Sequence, residues 1–178
     1  MSKWKKVKLG DILDYEQPTK YIVSNENYSK EYSIPVLTAG QTFVLGYTNE
    51  EENIYKNLPV IIFDDFTTSM KLVDFPFKVK SSAMKILKPT DSVDIKYIYS
   101  LMCKIKIDTQ LHKRYWISQY SRIEVALPPL DEQKKIANKL DKITDIITKR
   151  KAQLEKLDLL VKSREVGQMR ANGLEVVV

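Results

Sequence analysis

Cysteine and histidine are almost absent from this sequence of 178 residues, and their scarcity excludes several kinds of site. Cys103 is the only cysteine, so the chain can build neither an internal disulfide framework nor a cysteine-based zinc site. The apolar neighbours of Cys103 in "YIYSLMCKI" predict a buried thiol. His112 is the only histidine, which excludes a metal site made of several histidines.

Long apolar runs and the familiar catalytic motifs are absent as well. No stretch reaches the roughly 18 apolar residues of a membrane-spanning helix, and the start "MSKWKKVKLGD" lacks the apolar segment of a signal peptide. Together with the single thiol, this predicts a cytoplasmic protein. The sequence contains no G-x-x-x-x-G-K, G-x-G-x-x-G, H-E-x-x-H or G-x-S-x-G motif. The usual sites for nucleotide binding, metalloprotease and serine hydrolase chemistry are therefore not indicated.

The composition is that of a basic globular protein. Lysine and arginine number 29 against 23 aspartates and glutamates, which gives a formal net charge of +6. The apolar content of 43% is sufficient for a hydrophobic core. An excess of positive charge favours an anionic partner such as nucleic acid, although many basic proteins bind none.

Strand patterns dominate the first 130 residues. The stretches "TFVLGYT", "LPVIIFDDF", "SAMKILKP" and "SRIEVALPPL" predict strands, and the continuous apolar run of the second is typical of a buried one. "DSVDIKYIYSLMCKI" predicts a helix, since its apolar residues recur at helical spacing after possible caps at Asp91, Ser92 and Asp94. We therefore predict a mixed α/β (α+β) globular domain.

A long regular helix is predicted after Pro128 and Pro129, which end the last strand. Asp131 is a plausible N-cap, and the helix of about 35 residues would be about 50 Å long. Its apolar positions follow a heptad interrupted only at Arg150, and this narrow seam favours a coiled coil over packing on its own domain. Arg150 would either fix the register through an acidic partner or extend to solvent. The predicted seam comprises Ile136, Leu140, Ile143, Ile147, Arg150, Leu154, Leu157 and Val161.

Asp64 and Asp65 in "FDDFTTSMK" are the most enzyme-like feature. Two adjacent carboxylates could hold Mg²⁺, as in a nuclease, but a third carboxylate and a nearby lysine at strand spacing are missing. The favoured interpretation is structural: the pair ends a strand and bonds the turn "FTTS".

Basic, hydroxyl, amide and aromatic residues are interleaved in "FKVKSSAMK" and "HKRYWISQ", as phosphate contact and base reading require. Trp116 is equally compatible with a core position. The residues that we predict to contact DNA are Gln41, Thr42, Thr68, Lys71, Ser81, Ser82, Lys85, His112, Lys113, Arg114 and Gln119.

Four stretches together carry a family resemblance: "WKKVKLGDI", "RYWIS", "VALPPLDEQKKIANKLD" and "RKAQLEKLDLLVKSR". In these stretches the sequence resembles the specificity subunit of type I restriction-modification systems, over nearly its whole length. The resemblance implies a target-recognition domain at 1–130, a coiled-coil dimerisation helix at 131–166 and a tail at 167–178. It also implies no catalytic activity, because S-adenosylmethionine, ATP and Mg²⁺ would be used by partner subunits.

The sequence departs from the family pattern by having one recognition domain and one helix, where members normally carry two of each. As partners, the resemblance implies double-stranded DNA, methyltransferase subunits and, through them, restriction subunits. It further implies that two copies pair through their helices as an antiparallel coiled coil, unless the chain is a truncated gene product. The competing interpretations are a non-catalytic scaffold or anti-restriction protein and, less favoured, the Mg²⁺-dependent nuclease.

Overall fold

The computed structural model describes residues 4–39, 42–107 and 114–171, with side chains as far as residue 164. It divides into two compact units, Met1–Ala137 and Asn138–Val178. Within the described residues, no helix is both long enough and apolar enough to cross a membrane.

The first unit contains nine strands within the described residues. They are β1 (Lys5–Lys8), β2 (Leu13–Glu16), β3 (Ile34–Leu37), β4 (Val44–Thr48), β5 (Val60–Asp64), β6 (Met70–Val73), β7 (Lys78–Val79), β8 (Met84–Pro89) and β9 (Glu124–Leu127). A four-stranded antiparallel sheet has the order β2-β8-β5-β6. A three-stranded sheet, β4-β3-β7, pairs β3 antiparallel with β4 and parallel with β7, and β1 pairs antiparallel with β9.

The centre of the four-stranded sheet, at β5 and the first half of β8, is buried on both faces. Because side chains alternate along a strand, Ile61 and Phe63 of β5 face one apolar cluster while Val60 and Ile62 face another. The first cluster includes helical side chains such as Trp116, and the second includes residues of the three-stranded sheet. This explains the continuous apolar run of β5, in which every residue is buried.

Besides the 3-10 helices Pro18–Tyr21 and Tyr120–Arg122, the described residues also form four α-helices. They are α1 (Leu9–Ile12), α2 (Ile95–Met102), α3 (Tyr115–Ser118) and α4 (Leu130–Ala171). Asp94 caps α2 by accepting a hydrogen bond from the Tyr97 amide at 2.9 Å, which confirms one of the predicted caps. The mixed α+β class, the long helix and the strands predicted as β4, β5, β8 and β9 are confirmed. The domain boundaries drawn from the resemblance stay a prediction.

Cys103 is exposed, so the prediction of a buried thiol was wrong. Its apolar neighbours Ile98 and Met102 lie four residues apart and share the buried face of α2. Cys103 follows Met102 at the end of the helix and is rotated about 100° away from that face.

Helix α4 begins at Leu130, one residue before the predicted domain boundary, and Asp131 lies in its first turn. The Pro129 carbonyl accepts hydrogen bonds from the Glu132 and Gln133 amides at 2.9 and 3.0 Å, so Pro129 occupies the capping position predicted for Asp131. At 42 residues the helix is also longer than expected, because it continues past Gly167. A helical glycine costs about 1 kcal/mol without ending the helix.

Gln133 joins the first turn of α4 to the rest of the first unit. Its side chain is fully buried. Its amide nitrogen donates to the carbonyls of Pro128 at 2.8 Å and Ser92 at 3.1 Å, and its oxygen accepts from the Asp94 amide at 2.9 Å. One side chain therefore satisfies three backbone groups around the start of the helix.

A Gln133→Leu variant is expected to lose about 2–3 kcal/mol of unfolding free energy, because the three backbone groups that the buried Gln133 side chain satisfies would lose this partner. The matched control is Gln153→Leu, since Gln153 is exposed on the same helix. Urea denaturation of both variants measures the difference. Equal stabilities would contradict the role given to Gln133.

Candidate nucleic-acid interface

Several connections between strands meet at one end of the first unit. The Asp65 amide donates to the Ala83 carbonyl at 3.2 Å, and the Tyr115 amide donates to the Asp65 carbonyl at 2.9 Å. A hollow of about 190 Å³ lies between the β3–β4 connection and the start of β6, lined by Thr38, Ala39, Phe43, Ile62, Asp64, Ser69, Met70 and Lys71. We call this surface the loop end and define it as residues 38–39, 42–43, 65–71, 80–83 and 114.

The turn between β5 and β6 is held by Asp64, which is buried at the end of its strand. One carboxylate oxygen accepts from the Phe66 amide at 2.9 Å and the Thr67 amide at 3.3 Å, and the other accepts from the Thr67 hydroxyl. Thr68 has a φ of 60°, in the left-handed region that a threonine seldom adopts. The structural interpretation of Asp64 is therefore confirmed, and the turn is fixed before any partner arrives.

Asp65 points to the opposite face of the sheet and connects three elements. One of its oxygens accepts from the Trp116 amide at 2.8 Å, and the other lies 3.5 Å from the Lys85 ammonium. Trp116 itself is a core residue, with its ring packed edge-on against Phe63 at 5.7 Å between centroids. Asp65 thus holds the start of α3 against the ends of β5 and β8.

Lys85 is fully buried and makes no hydrogen bond of normal length. Its ammonium lies 5.2 Å from the centroid of the Tyr15 ring, a cation–π distance. Burial lowers the pKa of Lys85, Asp65 opposes the shift, and the nearby Arg114 guanidinium lowers the pKa further. Asp65 is therefore the charged partner that keeps this lysine within the fold.

The exposed charge of the loop end is positive. Lys71 and Arg114 are exposed, whereas Asp65, and Asp64 just before the loop end, are buried and hydrogen-bonded. Lys80 pairs with Glu26, which lies outside the loop end as defined. Among the described residues of the loop end, none exposes a carboxylate. An anion can therefore approach Lys71 and Arg114 without facing a like charge from these segments.

The structure brings six of the predicted DNA-contacting residues together at the loop end. Thr42, Lys71, Ser82 and Arg114 are exposed there, and Thr68 and Ser81 are partly buried. Gln119 follows α3 and is partly buried. Lys85 lies inside the fold, so its ammonium would have to leave Asp65 to contact DNA. Gln41, His112 and Lys113 lie outside the described residues.

The predicted seam of α4 changes character along the helix. Ile136 and Leu140 are partly buried, whereas the later apolar positions are about half exposed or more. Arg150 is exposed and donates to the Gln153 side chain at 3.2 Å. The exposed apolar seam positions are Ile143, Ile147, Leu154, Leu157 and Val161, and Ile146, Leu159 and Leu160 are exposed beside them.

Neither aspartate of the β5 end belongs to a metal cluster. Within the described residues, no group of three or more His, Cys, Asp or Glu side chains is placed to hold a metal ion. The favoured sequence interpretation had both aspartates bonding the turn "FTTS", and it missed the contact of Asp65 with Trp116, which comes 51 positions later. It also missed the hydrogen bonds of the Gln133 side chain, although Gln133 lies inside the "LPPLDEQ" motif.

Residues 1–156 match the model of the type I restriction modification DNA specificity domain. The chain belongs to this family. The predicted family is therefore confirmed. A curated specificity-domain relative, the type I restriction enzyme EcoR124I/EcoR124II specificity subunit of Escherichia coli, is 46% identical over 159 residues. That alignment covers 82% of this chain and 39% of the relative, so the chain spans about two fifths of the relative's length.

Solved structures of specificity subunits share the fold of this family member. The S subunit of a type I system from M. genitalium matches with a TM-score of 0.59 at 18% identity, over 80% of this chain and 39% of that one. The HsdS subunit from Thermoanaerobacter tengcongensis matches with a TM-score of 0.52 at 16% identity, over 82% of this chain and 38% of that one. A chain from a structure of type I R-M complex assembly and conformational transition gives a TM-score of 0.67 at 15% identity, over 91% and 43%.

Proposed function

We propose that this chain is the DNA-reading part of a type I restriction-modification complex and that its loop end contacts one half of a bipartite site. The observation that carries the proposal is the exposed Lys71 and Arg114, set among hydroxyl groups without an exposed carboxylate on the described loop end. Arginine, lysine and hydroxyl side chains are the groups that contact phosphates and base edges. The DNA specificity family of the chain supports the same assignment.

The chain has no catalytic role in this proposal. It docks methyltransferase subunits and, through them, restriction subunits. S-adenosylmethionine, ATP and Mg²⁺ are used by those partners, and the specificity chain binds none of them. Asp64 and Asp65 serve the fold, since their oxygens accept hydrogen bonds from the β5–β6 turn and from α3.

A second copy of the chain is the proposed partner of helix α4. The seam positions from Ile143 to Val161 are about half exposed or more in the single chain. Exposed apolar residues at heptad spacing favour pairing with another helix. Two copies related by a two-fold axis would read the two halves of an interrupted palindrome.

The decisive experiment combines this chain with a cognate methyltransferase subunit and maps the methylated sites by sequencing. The proposal predicts an interrupted sequence motif, and a symmetric motif if two copies act together. Methylation that shows no sequence preference would contradict the DNA-reading role. Tight association with the methyltransferase without any DNA binding would instead support the scaffold interpretation.

Removing the two exposed charges of the loop end should weaken DNA binding. In the complex with methyltransferase, Lys71→Ala/Arg114→Ala is expected to bind its target duplex roughly ten- to a hundredfold more weakly. If both side chains contact phosphates, the slope of log K against log salt becomes shallower by about 2. Fluorescence anisotropy titrations at several salt concentrations measure both quantities.

The matched control is Lys56→Ala/Lys88→Ala, which removes the same net charge. These two lysines are exposed, and Lys88 bonds Asn57, near the start of β5 and so at the opposite end of the four-stranded sheet. The control is expected to bind nearly as tightly as the wild type. Equal weakening by both double variants would show that only overall charge matters and would place the DNA elsewhere.

A further inference from the structure

Phe66 occupies an unusual position at the tip of the β5–β6 turn. Phe66 is 37% exposed and belongs to neither apolar cluster of the first unit. The flanking residues Asp65, Thr67 and Thr68 are polar. Phe66 therefore lies outside the two apolar clusters, on a turn that the Asp64 side chain holds by hydrogen bonds.

The backbone under the ring is fixed without help from the ring itself. Asp64 accepts from the Phe66 amide at 2.9 Å, the Thr68 amide donates to the Asp64 carbonyl at 3.0 Å, and the Asp64 amide donates to the Ser69 carbonyl at 2.8 Å. None of these bonds uses the phenyl group. A ring held on a rigid turn loses little conformational freedom when it binds, which favours a contact role.

The charges on the loop end indicate the kind of partner that the Phe66 ring contacts. Lys71 and Arg114 provide exposed positive charge, and no described residue of the loop end exposes a carboxylate. An exposed aromatic side chain on the same surface as exposed cations matches a polyanion that also offers flat apolar faces. Duplex DNA offers such faces where a base step is partly unstacked, and aromatic side chains stack on exposed bases.

We propose that Phe66 stacks on a base of the recognised half-site and opens one base step there. This inference rests on the proposed function, because it assumes that the loop end faces DNA. The stacking contact would increase the affinity for DNA and would favour a target with a deformable base step. Pyrimidine–purine steps are the most easily unstacked, so we place the contact at such a step.

The test uses the complex with methyltransferase and target duplexes that carry 2-aminopurine at each half-site position in turn. Phe66→Ala is compared with Phe75→Ala, which removes an equally exposed phenylalanine. Phe75 comes just after β6, at the end of that strand far from the β5–β6 turn, and it lies in a hollow lined by Tyr47 and Pro76. Phe66→Tyr keeps the ring and serves as the rescue variant.

The wild type, Phe66→Tyr and Phe75→Ala are expected to raise the 2-aminopurine fluorescence at one position, whereas Phe66→Ala does not. We also expect Phe66→Ala to bind the target roughly tenfold more weakly with an unchanged midpoint of urea unfolding. Identical fluorescence and affinity for Phe66→Ala and Phe75→Ala would overturn the stacking role while leaving the proposed function intact. A wild-type complex that binds target and scrambled duplexes equally would overturn both.

Discussion

A Lys85→Met variant is expected to lose about 3–5 kcal/mol of unfolding free energy, and adding Asp65→Asn is expected to restore most of it. Lys85 is fully buried and Asp65 is 2% exposed, with their charged groups 3.5 Å apart. Methionine fits the space of the lysine stem but leaves the Asp65 carboxylate without a counter-charge inside the fold. Asparagine removes that charge and keeps an oxygen that can accept from the Trp116 amide.

Urea denaturation of the wild type, the two single variants and the double variant forms a complete cycle. The interaction energy is the difference between the double variant and the sum of the single variants. An interaction energy close to zero would mean that the two charges act independently and that Lys85 is held by packing and by the Tyr15 ring. A large coupling would identify the pair as the element that fixes α3 beside the β5–β6 turn.

Lys85 also shows where sequence reasoning failed in part. The stretch "FKVKSSAMK" was interpreted as a basic surface, and Ser81 and Ser82 do lie at the loop end. Strand alternation, however, places Lys85 on the same face of β8 as Leu87, where the helices cover it. A lysine in a strand that is buried on both faces cannot be recognised from local pattern, because its partner Asp65 is 20 positions earlier.

Other long-range contacts could not be predicted from the sequence either. Gln133 bonds the Asp94 amide across 39 positions, and no periodicity predicts such a contact. By contrast, the prolines before α4, the apolar run of β5 and the cap of α2 are local signals, and each predicted its element correctly. Prediction of the loop end would have required both local patterns and long-range contacts, since its segments are near one another only after the sheets form.

Breaking the seam of α4 is expected to have the largest effect on assembly. In a two-fold dimer each substituted position is buried twice, at about 1.5–3 kcal/mol for each leucine. Leu157→Glu is therefore expected to weaken the proposed dimer by about 3–6 kcal/mol, a factor of a hundred or more in Kd. Sedimentation equilibrium over a range of concentrations measures this change.

Leu159→Glu is the matched control, because Leu157 and Leu159 are 56% and 66% exposed on the same helix. At 3.6 residues per turn Leu159 lies about 140° round the helix from Leu154, on the side away from the seam, while Leu157 lies about 60° from Leu154 and belongs to the seam. Both changes add the same charge to the same helix, so only the position differs. If two copies pair through the seam, Leu157→Glu alone yields monomers and abolishes methylation of the symmetric site. Equal dissociation by both variants, or a monomeric wild type at high micromolar concentration, would contradict pairing through this seam.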